Sequence, residues 1–224
     1  MIPLRDSVRP RQKPIINWLL ILVNFLVFFY ELKLTPSQLN QLFFHFGIIP
    51  AGVVAVINGL YPPVYLATFF TAMFMHGGLV HILGNMWFLW IFGDNVEDRL
   101  GHLRYLIFYL ITGIIGSMVF ILTAPASKVP IVGASGAIAG ILGGYLVSFP
   151  RARVLALVPV FFFLTLVEIP AVIFLMLWFF IQLFNGAISL GGLANSVAWW
   201  AHIGGFLAGV VLVKVLSGKT KSPK

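Results

Sequence analysis

Six runs of apolar residues, at 15–32, 69–93, 103–122, 134–149, 169–188 and 198–216, alternate along the chain with shorter polar breaks. They approach the roughly 20 residues that a helix needs to cross about 30 Å of hydrocarbon, and they are apolar all round, not along one stripe. This pattern predicts an all-α polytopic membrane protein with six transmembrane helices. Two stretches depart from it. Residues 154–167 are apolar and include Phe161, Phe162 and Phe163, yet they are short, carry Pro159 and lie between Arg153 and Glu168. A seventh span there would carry the C-terminal lysines to the outer side, so a structured cytoplasmic loop dipping into the interface is expected instead. The connection 33–68 contains Pro50, Pro62 and Pro63 with the apolar run Val53 to Ile57, and is expected on or partly in the outer leaflet.

Composition agrees with a lipid solvent: 60% of the 224 residues are hydrophobic, 9% are charged and the mean hydropathy is +1.03. The first run follows Arg5, Arg9, Arg11 and Lys13 and lacks a small-residue cleavage site, so it reads as a retained helix, not a removed signal peptide. Six spans put both termini on one side. Placing that side in the cytoplasm leaves only Lys33 and Lys128 of the 14 Lys and Arg outside, in line with the positive-inside rule. Topology therefore accounts for the net charge of +8, and the cations are scattered over short loops, which speaks against nucleic acid as a partner. The absence of Cys excludes disulfides and thiolate metal ligands. The expected organisation is a cytoplasmic tail over 1–14, one membrane domain over 15–216 and a basic cytoplasmic tail over 217–224. With no added domain and a short tail, residence in a prokaryotic plasma membrane is expected.

Polar groups inside such spans carry the candidate chemistry. Ser135 opens the fourth span in Gly133-Ala134-Ser135-Gly136, and His202 opens the sixth in Ala201-His202-Ile203-Gly204-Gly205. Ser135 lies sixteen residues from Arg151, or roughly 24 Å at the helical rise, which puts it below the outer surface. Similar spacing from the inner ends of their helices brings His202 and His81 to about the same depth. Asn85 shares a helix face with His81 one turn deeper. Gly136 and Gly140 on the fourth span, and Gly205 and Gly209 on the sixth, form small-xxx-small faces that allow helix backbones to approach closely. Ser135 and His202 are thereby expected within hydrogen-bond reach, as a nucleophile and the imidazole that takes its proton. Of the six acids only Glu31 is on the outer side, so the expected unit is a Ser–His dyad without a third carboxylate.

The ordered set His81-x-x-x-Asn85, Gly93-Asp94-Asn95-Val96-Glu97-Asp98-Arg99-Leu100-Gly101, the GASG at 133–136 and Ala201-His202-x-Gly204-Gly205 resembles the motifs of the rhomboid intramembrane serine proteases. The resemblance implies a six-helix rhomboid-like bundle that cleaves transmembrane proteins in or near their helices. It implies Ser135 as nucleophile, His202 as general base, and Asn85, His81 and the Ser135 backbone N–H as the oxyanion hole, with no cofactor and no metal. Two positions depart from the family. Many members carry an aromatic residue four after the serine, where this chain has Ala139, so orientation of the imidazole is expected from Phe206 or a neighbouring backbone. Many also carry a Trp-Arg pair in the first loop, and 33–68 contains neither residue.

Other classes fit less well. A zinc protease would need a motif such as H-E-x-x-H, and an aspartyl protease would need two mid-span aspartates; the chain has neither. A transporter reading lacks an inverted repeat and a mid-membrane ion pair. The alternative outside catalysis is an inactive rhomboid-like protein that binds membrane helices as a chaperone, which would be expected to have lost Ser135 or His202.

Overall fold

The computed structural model describes residues 1–160, 163–190 and 197–217. The helices are Ile15–Glu31 (α1), Pro36–Phe46 (α2), Pro50–Ile57 (α3), Thr68–Thr71 (α4), Leu79–Leu100 (α5), His102–Thr123 (α6), Ser135–Ser148 (α7), Ala171–Ser189 (α8) and Trp199–Leu216 (α9). The strands are Ile2–Asp6 (β1), Arg153–Val160 (β2) and Phe163–Pro170 (β3). By length and apolarity α6, α8 and α9 can each cross a bilayer, and α5 joins them when taken with the stretch Pro63–Phe74, which meets it at 83°. Apolar helices α1 and α7 are shorter, at 17 and 14 residues.

Most of the described residues are helical, as expected, and the departure from an all-α chain is a three-stranded antiparallel sheet in the order β1-β2-β3. Of residues 154–167, expected as an interfacial loop, 154–160 and 163–167 lie in two paired strands of that sheet, with Ala156 opposite Val167 and Leu157 opposite Leu166. The N-terminal tail supplies the third strand, pairing Ile2 with Leu157 and Asp6 with Val154. Pro159 is tolerated because β1 reaches only as far as Leu157, so the proline faces an open edge on that side and no ladder bond is lost. Ala152, just before the second strand, and Val154 and Ala156 within it are buried at a period of two. The expectations placed on Phe161 and Phe162, and on all of the tail 217–224 except Ser217, lie outside the described residues.

The second apolar run also folds differently from its expected bounds of 69–93. Gly77 and Gly78 interrupt it, and the regular helix begins at Leu79. Beyond residue 93 the helix continues because its polar groups find partners: Asn95 and Glu97 are both buried, and Glu97 accepts backbone N–H groups of α1. Gly101, at φ +79°, ends α5 in the left-handed region and lets α6 start at the next residue.

Helix α7 is the centre of the molecule, buried continuously from Gly136 to Tyr145. The glycine faces do meet. A Cβ on Gly205 would overlap the Gly136 carbonyl oxygen, one on Gly209 the Gly140 carbonyl, and one on Gly143 the Phe206 carbonyl. Backbone therefore packs on backbone between α7 and α9, which fixes their relative height and rotation.

Candidate active site

The segment that delivers Ser135 is held by backbone bonds before the helix begins. Ile48 and Ile131 exchange N–H···O bonds of 3.0 and 2.8 Å, and Gly133 N–H donates to the Ala72 carbonyl at 2.8 Å. Ser135 is the first residue of α7. The first bond of that helix runs from Ile138 N–H to the Ala134 carbonyl at 3.0 Å, so the N–H groups of Ser135, Gly136 and Ala137 are donors that the helix itself does not use.

His202, in the first turn of α9, faces this helix start. Its Nε2 lies 2.8 Å from Ser135 Oγ. Its Nδ1 lies 2.8 Å from Oε1 of Gln182, on α8. The Gln182 amide nitrogen donates to the Trp178 carbonyl at 3.2 Å, which leaves the amide oxygen to face the ring. An amide oxygen only accepts, so the proton sits on Nδ1 and the Nε2 lone pair is turned to the serine hydroxyl. Trp178 packs beside the imidazole at 6.1 Å and 32°, and Trp199 meets it edge-on at 6.1 Å.

That support differs from the one expected. Phe206, one turn further along α9, stacks on Phe179 at 4.7 Å and lies 6.0 Å from Trp178. The ring is held instead by the side chains of Gln182 and Trp178, one turn apart on α8, with Trp199 on the other side. Both ring nitrogens are thus accounted for by Ser135 and Gln182, neither of which is a carboxylate.

His81 and Asn85 lie beside Gly133, two residues before the serine. A Cβ built on Gly133 would come within 2.7 Å of His81 Nε2 and 3.7 Å of Asn85 Nδ2. Gly133 has φ +124°, so glycine is required there both for the backbone and for the space. Asn85 Nδ2 donates to His76 Nε2 at 3.0 Å, and the His76 ring meets His81 edge-on at 5.0 Å. The His76 backbone N–H in turn donates to the two carboxylate oxygens of buried Glu31 at 3.2 and 3.3 Å. Spacing along a continuous helix puts His76 off the face of His81 and Asn85. The break at Gly77–Gly78 removes that premise and folds His76 back over Asn85.

The structure therefore brings together all four residues that the sequence singled out, Ser135 with His202 and His81 with Asn85, and adds Gln182, His76 and Glu31 behind them. Among the described residues no group of three or more His, Asp or Glu could hold a metal ion.

The family model described as the Rhomboid domain matches residues 63–219. The chain is 32% identical over 152 residues to RHOMBOID-like protein 6, mitochondrial, of Arabidopsis thaliana, a match covering 65% of this chain and 42% of that protein. It is 36% identical over 143 residues to RHOMBOID-like protein 4 of the same plant, covering 63% of this chain and 32% of that protein. To the presenilin-associated rhomboid-like protein, mitochondrial, of Mus musculus it is 30% identical over 178 residues, covering 70% of this chain and 44% of that protein. The matched stretches span less than half of these relatives' own lengths. The domain match runs from the turns that precede α5 to the end of α9, takes in every site side chain described above except Glu31, and shows that the chain belongs to the rhomboid family.

Proposed function

We propose that this protein is an intramembrane serine endopeptidase that hydrolyses peptide bonds in or near the transmembrane helices of other membrane proteins. The observation that carries this reading is the 2.8 Å contact between Ser135 Oγ and His202 Nε2, with the imidazole in the tautomer that can accept the hydroxyl proton. His202 takes that proton as Oγ attacks the scissile carbonyl carbon. Negative charge passes to the carbonyl oxygen, and in this reading the Ser135 N–H, the Asn85 amide and the His81 ring receive it. The imidazolium then gives its proton to the leaving amine, the C–N bond breaks and an acyl-serine remains. Water, deprotonated by the same imidazole, attacks the ester and restores Ser135.

A lipid setting favours this chemistry and restricts the substrate. With little water present, each donor to the oxyanion is worth more than it would be in solution. A substrate helix hides its own carbonyls in hydrogen bonds, so it has to unwind locally before Ser135 reaches one. In this reading α1 and α5 to α9 are six spans, both termini are cytoplasmic, and the site opens to the outer side. The distribution of Lys and Arg supports that orientation. Helix α8 is the movable wall through which substrate enters.

The test is fluorophosphonate labelling of the purified protein together with cleavage of a membrane-tethered substrate. Labelling and cleavage that both disappear in Ser135→Ala support the reading. Wild-type turnover in Ser135→Ala would end it. A wild-type protein that neither labels nor cleaves, yet retains a bound transmembrane peptide, would favour the helix-binding alternative.

A further inference from the structure

We infer that Gln182 is the positioning residue of the general base, holding His202 in the tautomer and rotation that serve Ser135. The role rests on the serine-protease reading of the site, and the hydrogen bonds behind it are those of the folded protein at rest.

A neutral imidazole has two tautomers, and only the one protonated at Nδ1 leaves a lone pair on Nε2. Something must select it. In this chain the selector is an amide oxygen 2.8 Å from Nδ1, on a side chain that is 5% exposed. The amide could present its NH2 group by rotating half a turn, and that would select the wrong tautomer. The second bond prevents the rotation: the Gln182 nitrogen is engaged by the Trp178 carbonyl one turn earlier on α8, at 3.2 Å. A relay therefore runs from the Trp178 carbonyl through the Gln182 amide and the imidazole to Ser135 Oγ, with each donor and acceptor assigned by the group before it. The Trp178 ring also packs beside the imidazole, tilted by 32° with centroids 6.1 Å apart, so one turn of α8 supplies both a hydrogen-bonding and a packing contact to the base. Ala139, four residues after the serine, has only a methyl group to offer, which leaves that task to α8 and α9.

Glutamine suits the surroundings better than a carboxylate. Burying an ionised acid in a membrane helix is costly unless it is paired, whereas an amide needs only the two hydrogen bonds it has here. The choice gives up the attraction that a carboxylate would exert on the imidazolium and retains the orienting effect.

The experiment compares wild type, Gln182→Leu and Gln182→Glu in lipid vesicles. The readouts are kcat and KM on a membrane-tethered substrate, fluorophosphonate labelling, thermal melting and 15N NMR of the histidine rings. Gln182→Leu keeps the volume and removes the acceptor. It is expected to lower kcat by roughly 10- to 100-fold with KM nearly unchanged, and to move the His202 ring away from the Nδ1–H tautomer. Gln182→Glu keeps an oxygen acceptor and is expected to recover most of the lost kcat. Wild-type kcat in Gln182→Leu would overturn the inference, as would a Glu variant as slow as the Leu variant. If the Leu variant fails to fold, the wild-type spectrum decides: an Nε2–H tautomer for His202 overturns the inference and an Nδ1–H tautomer supports it. A wild type that neither labels nor cleaves would defeat the protease reading instead, and the NMR arm would still report whether Gln182 governs the ring.

Discussion

Glu97 accepts the backbone N–H groups of Ile16 and Asn17 at 2.9 and 2.7 Å, so the C-terminal end of α5 caps the start of α1. Helix α1 follows Pro14 and has no capping side chain of its own, and Glu97 satisfies two donors that its first turn leaves open. Asn17 extends the junction by donating to the Leu89 carbonyl at 3.1 Å and accepting from the Tyr105 hydroxyl at 2.7 Å. Replacing Glu97 with Ala should destabilise the protein by about 2–4 kcal/mol, since it leaves buried donors without partners. Glu97→Gln, which keeps an acceptor, should lose less. Melting of the two variants in detergent checks this, and equal loss would show that the negative charge of Glu97, not its role as an acceptor, holds the junction.

Ser135→Ala and His202→Ala should each abolish cleavage, and the double variant should be no worse than either alone, because nucleophile and base act as one unit. The measurement is turnover of a membrane-tethered substrate, with melting temperature as the control for folding. Additive losses would mean that the two residues work separately.

Asn85→Ala should lower kcat by roughly 10- to 1000-fold, as expected for one oxyanion donor among several. His76→Ala should produce a smaller loss in the same direction, because it acts only by releasing the Asn85 amide from its 3.0 Å bond. If Asn85→Ala left kcat unchanged, Asn85 would be a structural partner of His76 and nothing more.

Gly205→Ala should damage activity more than stability. Its new methyl group would overlap the Gly136 carbonyl, forcing α9 away from α7 at a cost of about 1–3 kcal/mol. The same shift would lengthen the contact between His202 and Ser135, three residues or fewer from the clash. A variant that melts a few degrees lower and has lost nearly all turnover is the expected result. Full activity would show that the helices can separate without disturbing the pair.

Much of this arrangement could be read from the residues because depth in a membrane helix follows directly from counting along it. Ser135 and His202 are tied to helix starts, and the glycines at 136, 140, 205 and 209 mark the faces that touch. The sheet was hidden for a specific reason. In β2 the buried Val154 and Ala156 alternate with Leu155 and Leu157, so both faces are apolar and the period of two leaves no polar trace. Gln182 was hidden for another. A single amide in an apolar helix has no motif, and only the packing of α8 on α9 shows that it faces Nδ1 of a histidine twenty residues away. The position of His76 over Asn85 was hidden because helical spacing cannot be carried across Gly77 and Gly78, which break the helix.

The sheet also determines where α8 can move. β3 runs without interruption into α8, and Ala171 N–H donates to the Ala152 carbonyl at 2.8 Å at the junction. The helix is thus a lever pinned at its N-terminal end to a sheet that also holds the start of the chain. Displacement of such a lever grows with height above the pin. Gln182 stands eleven residues up, about 16 Å at the helical rise, so a tilt of roughly 10° carries it about 3 Å sideways. That is enough to part its oxygen from His202. Leaning α8 outward to admit a substrate would then release the base, and only its return would set the imidazole for attack, so that opening and cutting cannot occur at the same instant.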